Sequence, residues 1–288
     1  MKIYLNGKIV PKEQAKLSVF DHGLLYGDGG FEGIRAYDGV VFKLQEHIDR
    51  LYETCHTLLI DIGMSKKEMI KAVVQTLKAN NLKSGYIRLV VTRGEGDLGL
   101  DPRKCKGRAN IFIIADKIVL YPEEFYKNGL AIVTVPTVRN HPEAINPQLK
   151  SLNYLNNILA KIEANNAGVP EAILLDGSGY VAECTGDNIF MIKGSEMKTP
   201  VAGRLRGVTR DCVMAIAEKK CGLAVSQTLI TRHEFYNADE VFLTGTAAEL
   251  VPVVKIDGRV IGTGKPGPKT LKLLKLFQGA TRKDGVRF

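Results

Sequence analysis

The chain has 288 residues, which is enough for two ordinary domains with a substantial buried core. Hydrophobic residues make up 45% of it and charged residues 25%, as in an average folded protein, and this composition excludes extensive disorder. The net charge of +9 suits an anionic ligand, but the densest basic run, 103–108, lacks the interleaved aromatic residues of a nucleic-acid site.

The first part of the chain predicts strands that pair locally, followed by a helix. The dipeptides Asn6-Gly7 and Asp38-Gly39 are typical of tight hairpin turns, which places a strand from Ile3 to Leu5 before the first turn and a hairpin from Ile34 to Phe42 around the second. Apolar residues at helical spacing then predict an amphipathic helix from Leu44 to Leu59.

A second helix and two further strands follow. Ser65 and Glu68 have the spacing of a capping box, and helical apolar periodicity continues after them. Strands are predicted from Tyr86 to Thr92 and from Asn110 to Ile114. We therefore predict a smaller α/β domain over residues 1–120.

The second part of the chain is predicted as a larger domain. The segment 121–130 begins with Tyr121-Pro122 and is predicted to be a connecting loop before a domain over 131–288. The fold class is therefore mixed α/β. The helices predicted in the larger domain lie near 151–164, 209–220 and 269–277, and the strands near 130–135, 172–175 and 189–192.

Two patterns bear on ligands and location. The glycines of 94–99 have the spacing of a dinucleotide-binding loop, but a Pro-containing basic loop follows where such a site requires a helix, so we expect no nicotinamide site. The five cysteines are too scattered for zinc or a redox dithiol, and no apolar run approaches the ~20 residues of a membrane span. We expect a cytoplasmic protein without metal, nucleic acid or membrane attachment.

Two residues have the chemistry of a catalytic site. Lys150 follows an irregular stretch and precedes a predicted helix that carries Tyr154, and a lysine that is buried or has cationic neighbours can form imines with carbonyl compounds. Glu183 lies between apolar segments, where a carboxylate needs a partner. That partner is either a protonated ring nitrogen or a structural salt bridge.

Two further segments could bind an anion. The amides of Gly207, Val208 and Thr209 would open the helix predicted from 209, although an ordinary Thr-capped helix explains the same pattern. Thr246 lies in a turn of small residues, where hydroxyl groups and amides can meet an anion. Arg50, on the first predicted helix, would by itself be interpreted as a surface charge.

Taken together, these segments resemble the class IV pyridoxal-phosphate aminotransferases, and within them the branched-chain amino-acid aminotransferases. The resemblance implies a fold-type IV enzyme with a smaller N-terminal α/β domain, a larger C-terminal domain with a barrel-like β core, and pyridoxal 5′-phosphate as cofactor. The motifs that carry it lie at 20–29, 31–35, 47–51, 86–88, 150–154, 183–190, 207–210 and 245–249.

The resemblance also implies roles toward the cofactor. Lys150 would be the catalytic residue and would hold the cofactor covalently. Glu183 would pair with the ring nitrogen and keep the ring protonated, and Tyr154 would hydrogen-bond the ring oxygen. The residues implied to surround the phosphate are Arg50, Gly207, Val208, Thr209 and Thr246.

Substrate-binding residues are implied in the same way. Tyr86 and the backbone amides of Thr246 and Ala247 resemble the family's site for the α-carboxylate. Arg88 resembles the residue that meets the side-chain carboxylate of glutamate, so that one pocket accepts both an apolar and a charged side chain.

Three residues resemble the apolar walls of that pocket, namely Phe31, Tyr26 and Leu100. In the family the latter two come from the neighbouring subunit, so we expect a homodimer or a higher homo-oligomer with shared active sites.

The implied reaction is transamination between branched-chain L-amino acids and 2-oxoglutarate, giving branched-chain 2-oxo acids and L-glutamate, as in branched-chain amino-acid biosynthesis. D-amino-acid aminotransferases and aminodeoxychorismate lyases share Lys150 and Glu183 and are alternatives, but the motifs at 31–35 and 86–88 favour the L-specific enzyme. A non-enzymatic anion- or nucleic-acid-binding protein would not require this combination. The chain departs from the family pattern at Gly30 and Arg206, which concerns the substrate range rather than the cofactor.

Overall fold

The computed structural model of the chain describes residues 1–117 and 121–288. It divides into two compact units. The first consists of Met1–Ile118, Leu149–Asn153 and Thr281–Phe288, and the second of Val119–Gln148 and Tyr154–Ala280. The domain boundary predicted at residue 120 lies outside the described residues. The chain thus returns to the first unit for a short segment, and that segment carries Lys150.

The elements follow one another in a mixed order of helices and strands. The described helices are α1 (His22–Tyr26), α2 (Leu44–Thr57), α3 (Lys66–Ala79), α4 (Glu123–Asn128), α5 (Leu155–Asn166), α6 (Val208–Ile216), α7 (Arg232–Tyr236) and α8 (Pro268–Thr281). The described strands are β1 (Lys2–Leu5), β2 (Lys8–Pro11), β3 (Gly29–Tyr37), β4 (Val40–Phe42), β5 (Gly85–Thr92), β6 (Asn110–Asp116), β7 (Leu130–Thr134), β8 (Glu171–Leu175), β9 (Val181–Cys184), β10 (Asn188–Lys193), β11 (Glu196–Pro200), β12 (Ala224–Thr228), β13 (Glu240–Gly245), β14 (Glu249–Ile256), β15 (Arg259–Val260) and β16 (Gly285–Arg287).

The first unit is an antiparallel sheet covered by two helices. Its seven described strands lie in the order β16-β4-β3-β5-β6-β1-β2. The apolar sides of α2 and α3 pack on this sheet, with Leu44, Ile48 and Met69 fully buried in the core. The predicted capping box is confirmed, because Ser65 N donates to Glu68 Oε2 at 2.8 Å and Glu68 N donates to Ser65 Oγ at 3.3 Å.

The second unit is built on a mixed sheet. Its main path, among the described strands, runs β12-β11-β10-β13-β14-β7-β8-β9, with β15 paired to β14. The pairs β11–β12, β7–β14 and β7–β8 are parallel, and the other pairs are antiparallel. Phe190 and Phe242 stack in its buried core with ring centres 4.9 Å apart.

Several elements differ from the sequence-based expectation. The helix predicted from Ser151 begins only at Leu155, because Leu152 N donates to Gly29 O at 2.9 Å and Ser151 forms a β-bridge with Gly30. This backbone is therefore extended beside β3 and is not available to a helix. Strand β9 was not predicted, and the segment predicted as a connecting loop contains α4. No helix within the described ranges combines the length and apolar character that a membrane span requires.

Candidate active site

Strands β3 and β5 place three predicted substrate-binding residues on one face of their sheet. The antiparallel register sets Gly33 opposite Arg88, so Phe31, Tyr86 and Arg88 project from the same face. The guanidinium carbon of Arg88 lies 4.6 Å from the centre of the Phe31 ring, and Arg88 Nη2 donates to Tyr86 Oη at 3.3 Å. The Tyr86 hydroxyl occupies the space above Gly33, where a Cβ would lie 2.1 Å from it. Glycine at position 33 therefore permits this arrangement.

Lys150 is fixed beside β3 by its backbone. Phe31 N donates to Lys150 O at 2.9 Å, and Lys150 N donates to Thr54 Oγ1 on α2 at 3.3 Å. The Lys150 ammonium lies 4.5 Å from the centre of the Phe31 ring. Two cations, Lys150 and Arg88, therefore lie against one aromatic ring, and the structure brings four of the predicted residues together in the first unit.

Gly30 faces α2 and not the side of the sheet that carries Phe31. A Cβ at this position would lie 3.0 Å from Thr54 Cγ2 and 3.5 Å from Lys150 O. A larger side chain would have to displace the Thr54 methyl group. Gly30, at which the chain departs from the family pattern, therefore lies against the backbone of Lys150.

Arg50 is buried and belongs to a charged cluster, so its interpretation as a surface residue is wrong. Its Nε and Nη2 donate to Glu32 Oε1 and Oε2 at 2.7 and 2.8 Å, and His47 Nδ1 lies 2.7 Å from Glu32 Oε2. Burial alone would raise the pKa of Glu32, but the Arg50 and His47 interactions outweigh it and hold that pKa at about 2. Burial lowers the pKa of His47 and Glu32 raises it, but burial together with the charges of Arg50 and Lys150 outweighs Glu32, so the pKa is below its ordinary value. His47 is therefore neutral and donates its Nδ1 proton to the carboxylate.

Tyr26 and Leu100 are exposed on two adjoining surface loops of the first unit, of which the first contains the short helix α1 that ends at Tyr26 and the second joins β5 to β6. Tyr26 Oη donates to Leu98 O at 2.5 Å, and Gly96 N donates to Phe20 O at 3.2 Å, so the two loops are held together. Leu100 is 78% exposed. A single chain therefore presents these predicted pocket walls to solvent.

In the second unit, Glu183 is a buried carboxylate on β9 with three donors. Its Oε1 accepts from Arg139 Nε at 2.8 Å, and its Oε2 accepts from Leu205 N at 2.9 Å and from Asn188 Nδ2 at 3.2 Å. The chain itself thus provides a salt bridge for Glu183. These donors also fix the orientation of the carboxylate toward any further partner.

Asn188 connects this carboxylate to the start of α6. Its Nδ2 also donates to Leu205 O at 3.0 Å. Its Oδ1 packs closely against Gly207, since a Cβ added to Gly207 would lie only 2.1 Å from it. The register of β10 and β13 sets Asn188 opposite Thr244, whose buried Oγ1 has no hydrogen-bond partner among the described residues. A buried hydroxyl of this kind is available to a ligand.

The N-terminus of α6 has the features of an anion site. Gly207 is the N-cap residue, and no side chain of the described residues caps this end. The Thr-capped alternative is therefore wrong, because Thr209 lies inside the first turn of the helix. The amides of this turn and the positive end of the helix dipole suit a phosphate group. Arg206 is an exposed residue that pairs with Asp211 at 3.3 Å.

The remaining predicted residues lie at turns of the second unit. Thr246 and Ala247 form the partly exposed turn between β13 and β14, and the preceding Gly245 lies against Asp187, whose Oδ1 would be 2.0 Å from a Cβ. Tyr154 is the half-buried residue just before α5.

These residues fit pyridoxal phosphate by their chemistry. The first unit provides a lysine amine and an oriented guanidinium, and the second provides an oriented carboxylate, the N-terminus of α6 and the buried Thr244 hydroxyl. An amine, a carboxylate and phosphate donors are the groups that this cofactor requires.

Sequence reasoning missed three residues that contact predicted site residues within their own unit, namely Glu32 in the first unit and Arg139 and Asn188 in the second. Glu32 and Asn188 belong to motifs already noted, but nothing in a single sequence assigns their partners. Arg139 gave no signal in the sequence, because it lies far along the chain from Glu183 and meets it only in the fold.

Comparison with known proteins places the chain among amino-group transferases. The family model described as amino-transferase class IV matches residues 29–256. A Methanocaldococcus jannaschii protein whose name includes the words branched-chain-amino-acid aminotransferase is 55% identical over 289 residues, a match that spans 100% of this chain and 99% of that protein.

Two solved structures agree with this match. The crystal structure of the Escherichia coli branched-chain amino acid aminotransferase is 34% identical, with a TM-score of 0.94 over 97% of this chain and 94% of that chain. The crystal structure of the T.th. branched-chain amino acid aminotransferase with pyridoxamine 5′-phosphate is 38% identical, with a TM-score of 0.93 over 97% of this chain and 93% of that chain. The predicted fold class is confirmed.

Proposed function

The chain belongs to the class IV aminotransferases, and we propose that it transfers the amino group between branched-chain L-amino acids and 2-oxoglutarate with pyridoxal phosphate as cofactor. The products are branched-chain 2-oxo acids and L-glutamate. The observation that carries this proposal is the placement of Lys150 and Arg88 against the same Phe31 ring, in a chain of this family.

Lys150 has the central catalytic role in the proposed reaction. When bound, pyridoxal phosphate supplies a carbonyl that condenses with amines and a ring that accepts electrons. We assign Lys150 Nζ to hold the cofactor until the substrate amine displaces it. The freed Lys150 amine would then take the proton from the substrate Cα and deliver it to the carbonyl carbon of the cofactor, and in the second half of the reaction it would move a proton in the reverse direction, to the α-carbon of the incoming 2-oxo acid. Lys150 N and O are both hydrogen-bonded, so the amine works from a fixed backbone.

We assign the other cofactor contacts by the same proposal. Glu183 pairs with the ring nitrogen, which its three donors support because they hold the carboxylate in one orientation. Tyr154 hydrogen-bonds the ring oxygen. The residues assigned to the phosphate are Arg50, Gly207, Val208, Thr209 and Thr246.

The substrate contacts follow from the side chains on the β3–β5 face. Tyr86 and the amides of Thr246 and Ala247 are assigned to the α-carboxylate. Arg88 is assigned to the side-chain carboxylate of glutamate, whereas Phe31 offers an apolar surface to branched side chains. The contact of Arg88 with both Phe31 and Tyr86 supports a pocket that serves both kinds of side chain.

We further propose that the active form is a homodimer or a higher homo-oligomer, in which Tyr26 and Leu100 complete the neighbouring pocket. The adjoining loops expose a group of large apolar residues that a monomer would leave in water. These are Leu17, Val19, Phe20, Leu24, Leu25, Tyr26, Leu98 and Leu100.

The five free cysteines support a cytoplasmic location, where thiols stay reduced.

Substitution of Lys150 tests the cofactor assignment. Lys150→Ala is expected to lose the visible absorbance band of the cofactor and its covalent trapping by borohydride, because no amine is left to hold it. Lys127→Ala is the matched control, since Lys127 is an exposed lysine paired with Glu123 and both signals should persist. Retention of band and trapping in Lys150→Ala would overturn the assignment.

A comparison of amino donors tests the substrate class. L-leucine, D-alanine and 4-amino-4-deoxychorismate are each supplied to the purified enzyme with 2-oxoglutarate or alone, and product formation is measured. L-leucine is expected to be the best of the three, with 2-oxoglutarate required. D-alanine as the best donor would contradict the proposed function.

A further inference from the structure

Glu32, His47 and Arg50 form a buried charged cluster in the first unit. Glu32 is 0% exposed and His47 1%. Both residues on α2 point at Glu32 on β3, so a strand and a helix meet through this carboxylate. A buried carboxylate is costly unless it is paired and hydrogen-bonded, and here both oxygens are used.

The geometry of the pair leaves one side of the guanidinium directed away from Glu32. Both contacts with Glu32 are made by the edge of the group that carries Nε and Nη2. Because a guanidinium is planar and rigid, fixing this edge also fixes the direction of the opposite edge, which carries Nη1. An arginine without such a partner would have to lose the freedom of a long side chain when it binds an anion.

His47 completes the arrangement from the same helix face. Since the imidazole is neutral, its Nδ1 proton is donated to Glu32 Oε2, the oxygen that also accepts from Arg50 Nη2. Oε2 therefore accepts from both His47 and Arg50, which restrains the rotation of the carboxylate. The cluster then carries one negative and one positive charge.

We propose that Glu32, held by His47, is a positioning residue that orients the Arg50 guanidinium for a phosphate group. The proposal rests on the proposed function, in which Arg50 binds the phosphate of the cofactor. Neither Glu32 nor His47 needs to touch the cofactor. Their contribution is the ordering of Arg50 before the phosphate arrives.

The alternative, a purely electrostatic role, predicts the opposite effect. Glu32 places a negative charge beside a phosphate-binding arginine, so its removal would strengthen the attraction for phosphate if charge alone mattered. If orientation matters more, removal of the carboxylate weakens binding although the net charge of the site becomes more positive. The sign of the change therefore separates the two explanations.

The test measures binding of two ligands that differ only in the phosphate. The full-length chain is freed of cofactor and titrated with pyridoxal phosphate and, separately, with pyridoxal, by absorbance. For Glu32→Gln we expect about tenfold weaker binding of pyridoxal phosphate, the cost of immobilising one long side chain on binding. Binding of pyridoxal should be unchanged. A general loss of structure would instead weaken both ligands.

Two further comparisons keep the test decisive. Glu240→Gln is the matched control, because Glu240 is another buried carboxylate that accepts from Thr270 N and Oγ1 in the second unit, and its loss should leave both affinities unchanged. If Glu32→Gln fails to fold, His47→Leu and His47→Asn replace it. Asparagine offers an amide donor near the position of Nδ1, so it should retain the affinity for pyridoxal phosphate that leucine lowers.

The possible outcomes are distinct. Weaker binding of pyridoxal phosphate alone in Glu32→Gln, with recovery in His47→Asn relative to His47→Leu, supports the proposal. Unchanged or tighter binding in Glu32→Gln, together with weaker binding in Arg50→Gln, overturns it while the role of Arg50 stands. Unchanged binding in Arg50→Gln overturns the phosphate role of Arg50 and the positioning proposal with it.

Discussion

Asp187 is a buried carboxyl group whose protonation can be inferred from its hydrogen bonds. Tyr121 Oη lies 3.1 Å from Asp187 Oδ2 and 3.4 Å from Glu171 Oε2, and one hydroxyl proton cannot satisfy two carboxylates. The amides of Ala172 and Thr185 donate to Glu171 Oε1 at 2.7 and 3.0 Å, so Glu171 has two further hydrogen-bond donors. Burial, followed by the charge of Glu171, raises the pKa of Asp187 to about 7. Asp187 is therefore the group that holds the extra proton.

This assignment predicts how stability depends on pH. The folded pKa of Asp187, about 7, is above its ordinary value of 3.8, so the folded state binds the proton more tightly than the unfolded state. The contribution to stability is therefore fully present below pH 3.8 and is lost as the pH rises to about 7.

Asp187→Asn tests the dependence, because an amide replaces the protonated acid as donor to Tyr121 and does not titrate. The free energy of unfolding of the variant should rise relative to that of the parent between about pH 4 and 7, by about 1.4 kcal/mol for each pH unit. Urea unfolding at a series of pH values measures this difference. A difference that does not change with pH would contradict the assigned proton.

Gly207 connects the start of helix α6 to the side chain that holds Glu183. Gly207 is both the N-cap of the helix and the neighbour of Asn188, whose side chain also holds Glu183. The helix end that we propose to bind the phosphate and the orientation of the Glu183 carboxylate are therefore linked through the Asn188 side chain. This link is absent from the local sequence pattern, which shows only a turn before a helix.

Gly207→Ala should disturb both functions at once. An added Cβ would lie 2.1 Å from Asn188 Oδ1, so the amide must move and Glu183 loses one of its donors. We expect a loss of about 1 to 3 kcal/mol in the free energy of unfolding, as for other overpacked sites, together with weaker binding of pyridoxal phosphate. Gly177→Ala is the control, because a Cβ there meets nothing within 4 Å. If the two variants have the same free energy of unfolding and the same affinity for pyridoxal phosphate, the contact between Gly207 and Asn188 contributes to neither.

At the scale of the whole molecule, exposed apolar surface is the feature that a single chain does not explain. The loops around α1 and the loop that contains Leu98 form one surface, since Asp21 and Glu95 also form a β-bridge between them. Val19 and Leu24 on this surface are each 69% exposed. Burial of such side chains against a second copy stabilises an oligomer by about 25 cal/mol per Å².

Charges placed on this surface should separate the subunits. The double variant Val19→Asp and Leu24→Asp leaves the proposed pocket residues Tyr26 and Leu100 unchanged and is expected to shift the protein toward the monomer in sedimentation velocity, because two carboxylates would be buried without partners. Val260→Asp, at a position that is 61% exposed in the second unit, is the control and should keep the parent distribution. An unchanged oligomer in the double variant would exclude this surface as the interface.

Much of the secondary structure could be predicted because its signals are local. Hairpin turns, the Ser65 capping box and the periodicity of α2 and α3 involve residues close together in the chain, and each is found in the structure. The start of α5 could not be predicted. The residues before it pair with β3, which lies more than a hundred positions earlier, and that pairing replaces the first turn of the expected helix.

The sequence by itself determined the family and singled out the lysine that we propose as the reactive residue, because ordered motifs identify chemical groups without requiring their coordinates. Only the tertiary structure decided which charges meet: Glu32 with Arg50, and Arg139 with Glu183. The physical reason is that a buried charge must be neutralised by a neighbour in space. The neighbour is set by how strands and helices pack, and no local pattern in the chain encodes it.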